Sequence, residues 1–159
     1  MLTVRRLATG LLLSALATVC HASELQAFTT DGCSRFPDRS RNGKPDWCHC
    51  CAAHDVAYWR GGSAEERLAA DRELKACVQK ASQDDGLAAL MYVGVRAGGG
   101  PYYNTSYRWG YGWPFGRNYT PLSADEQVLA AQLEHQYRLV NPTLACPAQT
   151  VRDTDAKVP

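Results

Sequence analysis

Three observations predict a small, mainly α-helical domain stapled by disulfides. Cysteine is abundant, with seven in 159 residues, and six of these follow a leader-like N-terminus. Two Ser-x-x-Glu capping boxes, Ser63 to Glu66 and Ser123 to Glu126, each open a helix-forming run. Gly61-Gly62 separates the first of these runs from an earlier one by a very short turn, which favours an antiparallel two-helix core.

The N-terminus has the layout of a secretory signal peptide. Met1 to Arg6 is basic, Leu7 to Val19 is apolar, and Cys20-His21-Ala22 supplies small residues around a cut after Ala22. The apolar run is too short to span a bilayer. Arg5-Arg6 lacks the flanks of a twin-arginine signal, and Ala17-Thr18-Val19 makes a poor lipobox before Cys20. The expected organisation is therefore a signal peptide (1–22), one domain (23–147) and a disordered tail (148–159), in a secreted or periplasmic protein. Cys33, Cys48, Cys50, Cys51, Cys77 and Cys146 then form an even set, which in an exported chain reads as disulfides. A formal net charge of +1 argues against a general nucleic-acid binder.

Along the domain, Ser23 to Lys44 lacks periodicity and should be loop. Asp46 can cap a helix from Trp47 to Arg60, which Gly61-Gly62 ends. The next helix should run from Ala64 to Ser82, with Ala70, Leu74, Cys77, Val78 and Ala81 as its apolar stripe. A third is expected from Asp85 to Arg96, stopped by Gly98-Gly99-Gly100-Pro101. Tyr102 to Tyr119 is dense in Tyr, Trp and Gly and reads as turns or a short hairpin. A C-terminal helix should run to Val140, with Val128, Leu129, Leu133, Gln136 and Val140 near one side.

Chemistry concentrates in Cys50-Cys51-Ala52-Ala53-His54-Asp55-Val56-Ala57-Tyr58. With 3.6 residues per turn, Cys50, His54 and Ala57 share one helix face and Cys51, Asp55 and Tyr58 the next. His54 offers a neutral-range base and Asp55 a hard oxygen ligand, a pair suited to activating water beside a cation. The competing reading is a zinc module built on Cys48-His49-Cys50-Cys51 with His54, although paired C-x-x-C knuckles are missing. Asp71 interrupts an apolar stripe, so it is either a helix-pinning ion pair or the group that orients His54 across the hairpin. His49 and His135 read as solvent-facing helix residues. Asn104-Thr105-Ser106 and Asn118-Tyr119-Thr120 match a glycosylation pattern that matters only in a eukaryotic secretory pathway.

These motifs resemble the secreted phospholipase A2 superfamily, whose central helix carries Cys-Cys-x-x-His-Asp-x-Cys-Tyr and whose partner helix carries Cys-Asp-Arg-x-x-x-x-Cys. Here they read CCAAHDVAY and Ala70-Asp71-Arg72-Glu73-Leu74-Lys75-Ala76-Cys77. Ala57 and Ala70 replace two cysteines that pair with each other in the family, so both halves of one bridge are missing together. The resemblance covers roughly Asp31 to Val78.

By that resemblance His54, Asp71 and Tyr58 would be catalytic: His54 activates water, Asp71 orients it, and the Tyr58 hydroxyl supports Asp71. Asp55 would bind Ca2+ with the carbonyls of a preceding loop. That loop is Asp31-Gly32-Cys33-Ser34-Arg35-Phe36-Pro37-Asp38, where only Gly32 and Cys33 match the family's glycine-rich pattern. Gly32 and Ser34 are the carbonyl candidates, and Asp31 or Asp38 could add side-chain oxygens or simply shape turns. The resemblance also pairs Cys50 with Cys77 and Cys51 with Cys33, leaving Cys48 and Cys146. The implied activity is Ca2+-dependent hydrolysis of a glycerophospholipid ester at a phospholipid membrane surface. No G-x-S-x-G elbow is present, so no acyl-enzyme is expected. The alternative is a non-catalytic lipid- or protein-binding module on the same scaffold. For membrane contact the candidate is the aromatic segment, Tyr102, Tyr103, Tyr107, Trp109, Tyr111, Trp113, Phe115 and Tyr119, aided by Arg108 and Arg117. Its competing role is core.

Overall fold

A computed structural model describes residues 25–142 and 144. The expected signal peptide, Cys146 and the expected tail lie outside the described residues. Within them the protein is four helices without a strand: α1 (Cys48–Arg60), α2 (Ala64–Ser82), α3 (Asp85–Gly98) and α4 (Ala124–Val140). The only strand-like pairing described is an isolated bridge between Arg39 and Asp46. No helix among the described residues is long and apolar enough to cross a membrane.

The helix ends follow local chemistry. Ser63 and Ser123 each accept from the backbone N–H three residues on, and Glu66 and Glu126 accept in return, closing both capping boxes. Asp84 caps α3 by accepting from the Leu87 N–H at 2.9 Å. The start of α1 differs from expectation. Asp46 accepts from the Cys48 N–H at 2.9 Å, but the cap position belongs to Trp47, whose side chain makes no cap bond. Trp47 is held there because its ring is buried and its Nε1–H donates to the Pro37 carbonyl at 2.7 Å.

Helix α1 is the centre of the molecule, with Ala52 and Trp59 fully buried. The start of α1 meets the end of α2 through the Cys50–Cys77 disulfide, while Tyr58 near its end meets Arg67 near the start of α2. The two helices are therefore antiparallel. A second disulfide, Cys33–Cys51, ties the preceding loop to α1. Both are the pairings that the resemblance implied. Cys48 is also disulfide-bonded; its implied pairing with Cys146 lies outside the described residues.

On one side of α1, Leu25, Phe28, Val56, Trp59, Trp113 and Ala130 form a core with Leu129, Leu133 and Tyr137 of α4 packed against it. The inward face of α4 is thus turned from the expected one. Val128 and Val140 point outward at 57% and 77% exposure, because α4 turns Ala130, with Leu129, Leu133 and Tyr137 beside it, to the core. On the other side, Trp47, Leu74, Val78, Ala88 and Met91 join α1, α2 and α3. Tyr58, Ala70 and Trp109 form a third cluster, with Ala57 against it. Trp109 therefore packs where the resembled family would place a disulfide.

The aromatic segment forms turns, not a hairpin; its tryptophans face inward, while Tyr102, Tyr103 and Phe115 are exposed. A helix leaves its last carbonyls without partners, and here residues 109–113 supply them. Gly110 N–H donates to Tyr58 O at 2.6 Å and Gly112 N–H to Trp59 O at 3.1 Å. The indole of Trp113 donates to Arg60 O at 2.7 Å and that of Trp109 to Gly62 O at 2.9 Å. This close approach needs glycine: a Cβ on Gly61 would lie 2.9 Å from Gly110 Cα. Trp109 and Trp113 are consequently buried. Arg108 is buried and donates to the Trp113 carbonyl, and Arg117 lies over the Trp113 ring at 3.9 Å while pairing with Glu126. These four residues hold the fold, with Trp109, Trp113 and Arg108 in its interior.

Candidate functional site

Helices α1 and α2 are fastened side by side, so residues one turn apart on each can meet between them. His54 Nε2 lies 2.8 Å from Asp71 Oδ1, and the Tyr58 hydroxyl donates to the same oxygen at 2.8 Å. His54 and Tyr58 stand one turn apart with ring centroids 4.1 Å from each other. Tyr58 thus shares the face of His54 and not that of Asp55, since four residues come closer to a whole turn than three.

Asp71 is fully buried. Burial opposes its ionised form, but hydrogen bonds from His54, Arg96 and Tyr58 prevail and hold its carboxyl below the ordinary range. Arg96 of α3 donates to Oδ2 at 2.7 Å, and Arg67 Nε approaches the same oxygen at 3.8 Å. An ionised carboxylate only accepts, so the proton of His54 is on Nε2 and Nδ1 is left as the acceptor. Burial, then the charge of Asp71, pushes the Tyr58 hydroxyl well above its ordinary value, keeping it a donor.

Arg67 is the brace of this cluster. It donates to the Tyr58 hydroxyl at 3.0 Å, to the Tyr119 hydroxyl at 2.8 Å, and to the last carbonyls of α3 at Val95 (2.7 Å) and Arg96 (3.0 Å). The sequence reading missed Arg67, Arg96 and Thr30. Arg67 stands one turn before Asp71 on α2, a spacing that marks an ion pair. For Arg96 and Thr30 the sequence carries no comparable signal.

Asp55 turns the other way, towards the loop. Its Oδ2 accepts from Thr30 Oγ1 at 2.6 Å. Burial, with added repulsion from Asp31 and Asp38, pushes its carboxyl up to about 7. Gly32 has φ of 75° and Ser34 φ of 52°, both left-handed. A Cβ on Gly32 would lie 2.4 Å from Asp38 Oδ1, so the turn admits only glycine. Asp38 is buried and accepts from the Cys33 N–H at 2.8 Å, and Asp31 accepts from Ser34 Oγ at 2.7 Å. The carboxylates of Asp31, Asp38 and Asp55 are hard oxygens of the kind Ca2+ prefers, and each accepts a hydrogen bond from the loop or its flank.

Among the described residues, the one group of three His, Cys, Asp or Glu ligand atoms within 4.8 Å of one another is His49, Cys50 and Cys77. Its two sulfurs are bonded to each other, which leaves no thiolate for zinc. His49 itself is exposed, as expected.

Two cavities meet at Asp55. One, of about 210 Å3, is mostly apolar: His54, Asp55 and Tyr58 lie on its wall with Phe36, Leu74, Met91, Gly94 and Val95. The other, of about 270 Å3, is lined by Thr29, Thr30, Asp31, Ser34, Ser106 and Tyr111, and shares Ser34, Asp55 and Tyr107 with the first. His54, held in one tautomer, lies on the wall of the apolar cavity, and Asp55 stands where that cavity meets the second one, which Asp31 also lines. Comparison with known protein families, curated proteins and solved structures gives no match.

Proposed function

We propose that the protein is a phospholipase A2-like hydrolase that cleaves a fatty-acyl ester of a glycerophospholipid with water. The observation that carries this reading is the His54–Asp71 contact of 2.8 Å at the wall of an apolar cavity. An acyl chain fits the apolar slot by burial of its methylenes, each contributing about 0.8 kcal/mol. The polar headgroup then lies on the side of Asp31, Asp55 and Ser106.

In the reaction, His54 Nδ1 takes a proton from water as its oxygen attacks the ester carbonyl carbon. Asp71 and Tyr58 keep the ring oriented and stabilise the imidazolium while it exists. The C–O bond to the glycerol side breaks, and the proton on His54 passes to that leaving oxygen. Fatty acid and lysophospholipid result, with no covalent intermediate on the protein.

Asp55, the carbonyls of Gly32 and Ser34, and the side chains of Asp31 and Asp38 are the residues that would hold Ca2+. Bound there, the ion supplies positive charge where the carbonyl oxygen becomes an oxyanion. Asp55 supports this assignment because its carboxylate is crowded by burial and by two neighbouring acids. The alternative reading, a non-catalytic lipid-binding module, has one observation in its favour. Asp31 and Asp38 already spend an oxygen each within the loop.

Fatty-acid release from mixed phospholipid vesicles, with and without chelator, tests the proposal. The wild-type chain should release fatty acid only without chelator. His54→Gln should lower the rate at least about a hundredfold, the usual scale of a lost general base, with Ca2+ binding retained. Asp55→Lys should remove both activity and Ca2+ binding. Near-full activity of His54→Gln would refute the mechanism, and lipid binding without release by the wild type would favour the alternative.

A further inference from the structure

We propose that His49 and the Cys50–Cys77 bridge form a thiol–disulfide exchange site that takes a low-molecular-weight thiol at Cys77. The imidazole spans both ends of the bridge: His49 Nε2 lies 3.4 Å from Cys50 Sγ and 3.6 Å from Cys77 Sγ. The two sulfurs differ in access. Cys50 is 2% exposed, whereas Cys77 is only half-buried and faces solvent beside exposed His49. Among the described residues no imidazole stands against the Cys33–Cys51 bridge in this way, and both its cysteines are buried.

This geometry sets the direction of exchange. Exchange needs a thiolate to attack, and it goes faster when the departing sulfur is stabilised. The imidazole takes the proton of an incoming thiol at the solvent side, and the thiolate attacks Cys77 Sγ. A new S–S bond forms there as the Cys50–Cys77 bond breaks. Cys50 leaves as a thiolate and receives the proton from Nε2–H, so the sum is thiol plus disulfide giving mixed disulfide plus the Cys50 thiol. A second molecule of thiol attacks the mixed disulfide, releasing the Cys77 thiol and oxidised thiol dimer. No other reductant is needed.

The bridge also fastens the two helices that carry His54 and Asp71, so its opening loosens the contact between them. The proposal does not depend on the hydrolase reading, because exchange is measured on the sulfurs themselves. The full chain, kept folded as judged by circular dichroism, is incubated with reduced glutathione. Samples are acid-quenched, alkylated and mapped by mass spectrometry. The expected first product carries glutathione on Cys77 and a free Cys50, with Cys33–Cys51 intact. His49→Ala and His49→Gln, both at an exposed position, should slow this product at least about tenfold without changing the helical signal. Three results would overturn the proposal: earlier opening of Cys33–Cys51, glutathione on Cys50 in place of Cys77, or unchanged rates in both variants.

Discussion

A carboxylate with no exposed surface persists only where its charge is answered on both oxygens. Asp71 meets that condition through His54 and Tyr58 on Oδ1 and Arg96 on Oδ2. The network depends on a residue with no side chain. A Cβ at Gly99 would lie 2.6 Å from the Tyr58 ring and 2.8 Å from its hydroxyl oxygen, too close for any real contact. Gly99→Ala should therefore push Tyr58 off Asp71 and cost about 1–3 kcal/mol, the usual range for overpacking. Urea unfolding followed by circular dichroism measures this. A midpoint equal to wild type would mean that Tyr58 has room to move and that the network is looser than its distances say. Gly98, one residue earlier, has open space around its Cβ position and serves as the control.

At the scale of elements, legibility followed the range of the forces. Ser63–Glu66 and Ser123–Glu126 are read from adjacent residues, and the helices they open begin where the capping boxes place them. The two pairings at Cys50 and Cys51 were legible only through the family motif, since spacing alone leaves several connectivities open. The face of α4 and the cap of α1 were misread because tertiary contacts decide them: Trp47 is drawn to Pro37, and Ala130 is buried in the core. The aromatic segment is the clearest case. Composition allowed a membrane surface or a core; the carbonyls left over at the end of α1 draw Trp109 and Trp113 into the core, and Tyr102, Tyr103 and Phe115 stay exposed. Trp109→Ala removes both a buried ring and the donor to Gly62 O, so it should cost about 3–5 kcal/mol. A large drop in melting temperature is expected. Weaker vesicle binding with an unchanged melting temperature would instead restore the membrane role.

For the whole molecule, the two sides of α1 set opposite dependences of stability on pH. Asp71 has a lowered carboxyl, so its contribution is complete above its unfolded value near 4 and is lost as pH falls below it. Asp55 works the other way. Its carboxyl is raised to about 7, so between about pH 4 and 7 the folded state binds more protons than the unfolded one, and stability falls as pH rises. In chelator, the melting temperature should therefore be greatest near pH 4 to 5, decline towards pH 7, and level off above it. Asp55→Asn cannot ionise at that position, so it should flatten the decline while leaving the acid limb set by Asp71 in place. Thermal unfolding at a series of pH values checks both limbs. Added Ca2+ should restore the melting temperature at pH 7.5 in the wild type and not in Asp55→Asn, because binding to the folded state alone stabilises it by mass action. A wild-type curve in chelator that is flat from pH 5 to 7.5 would mean that Asp55 is already compensated within the protein. The loop would then have no electrostatic demand for a cation, and the non-catalytic reading would gain.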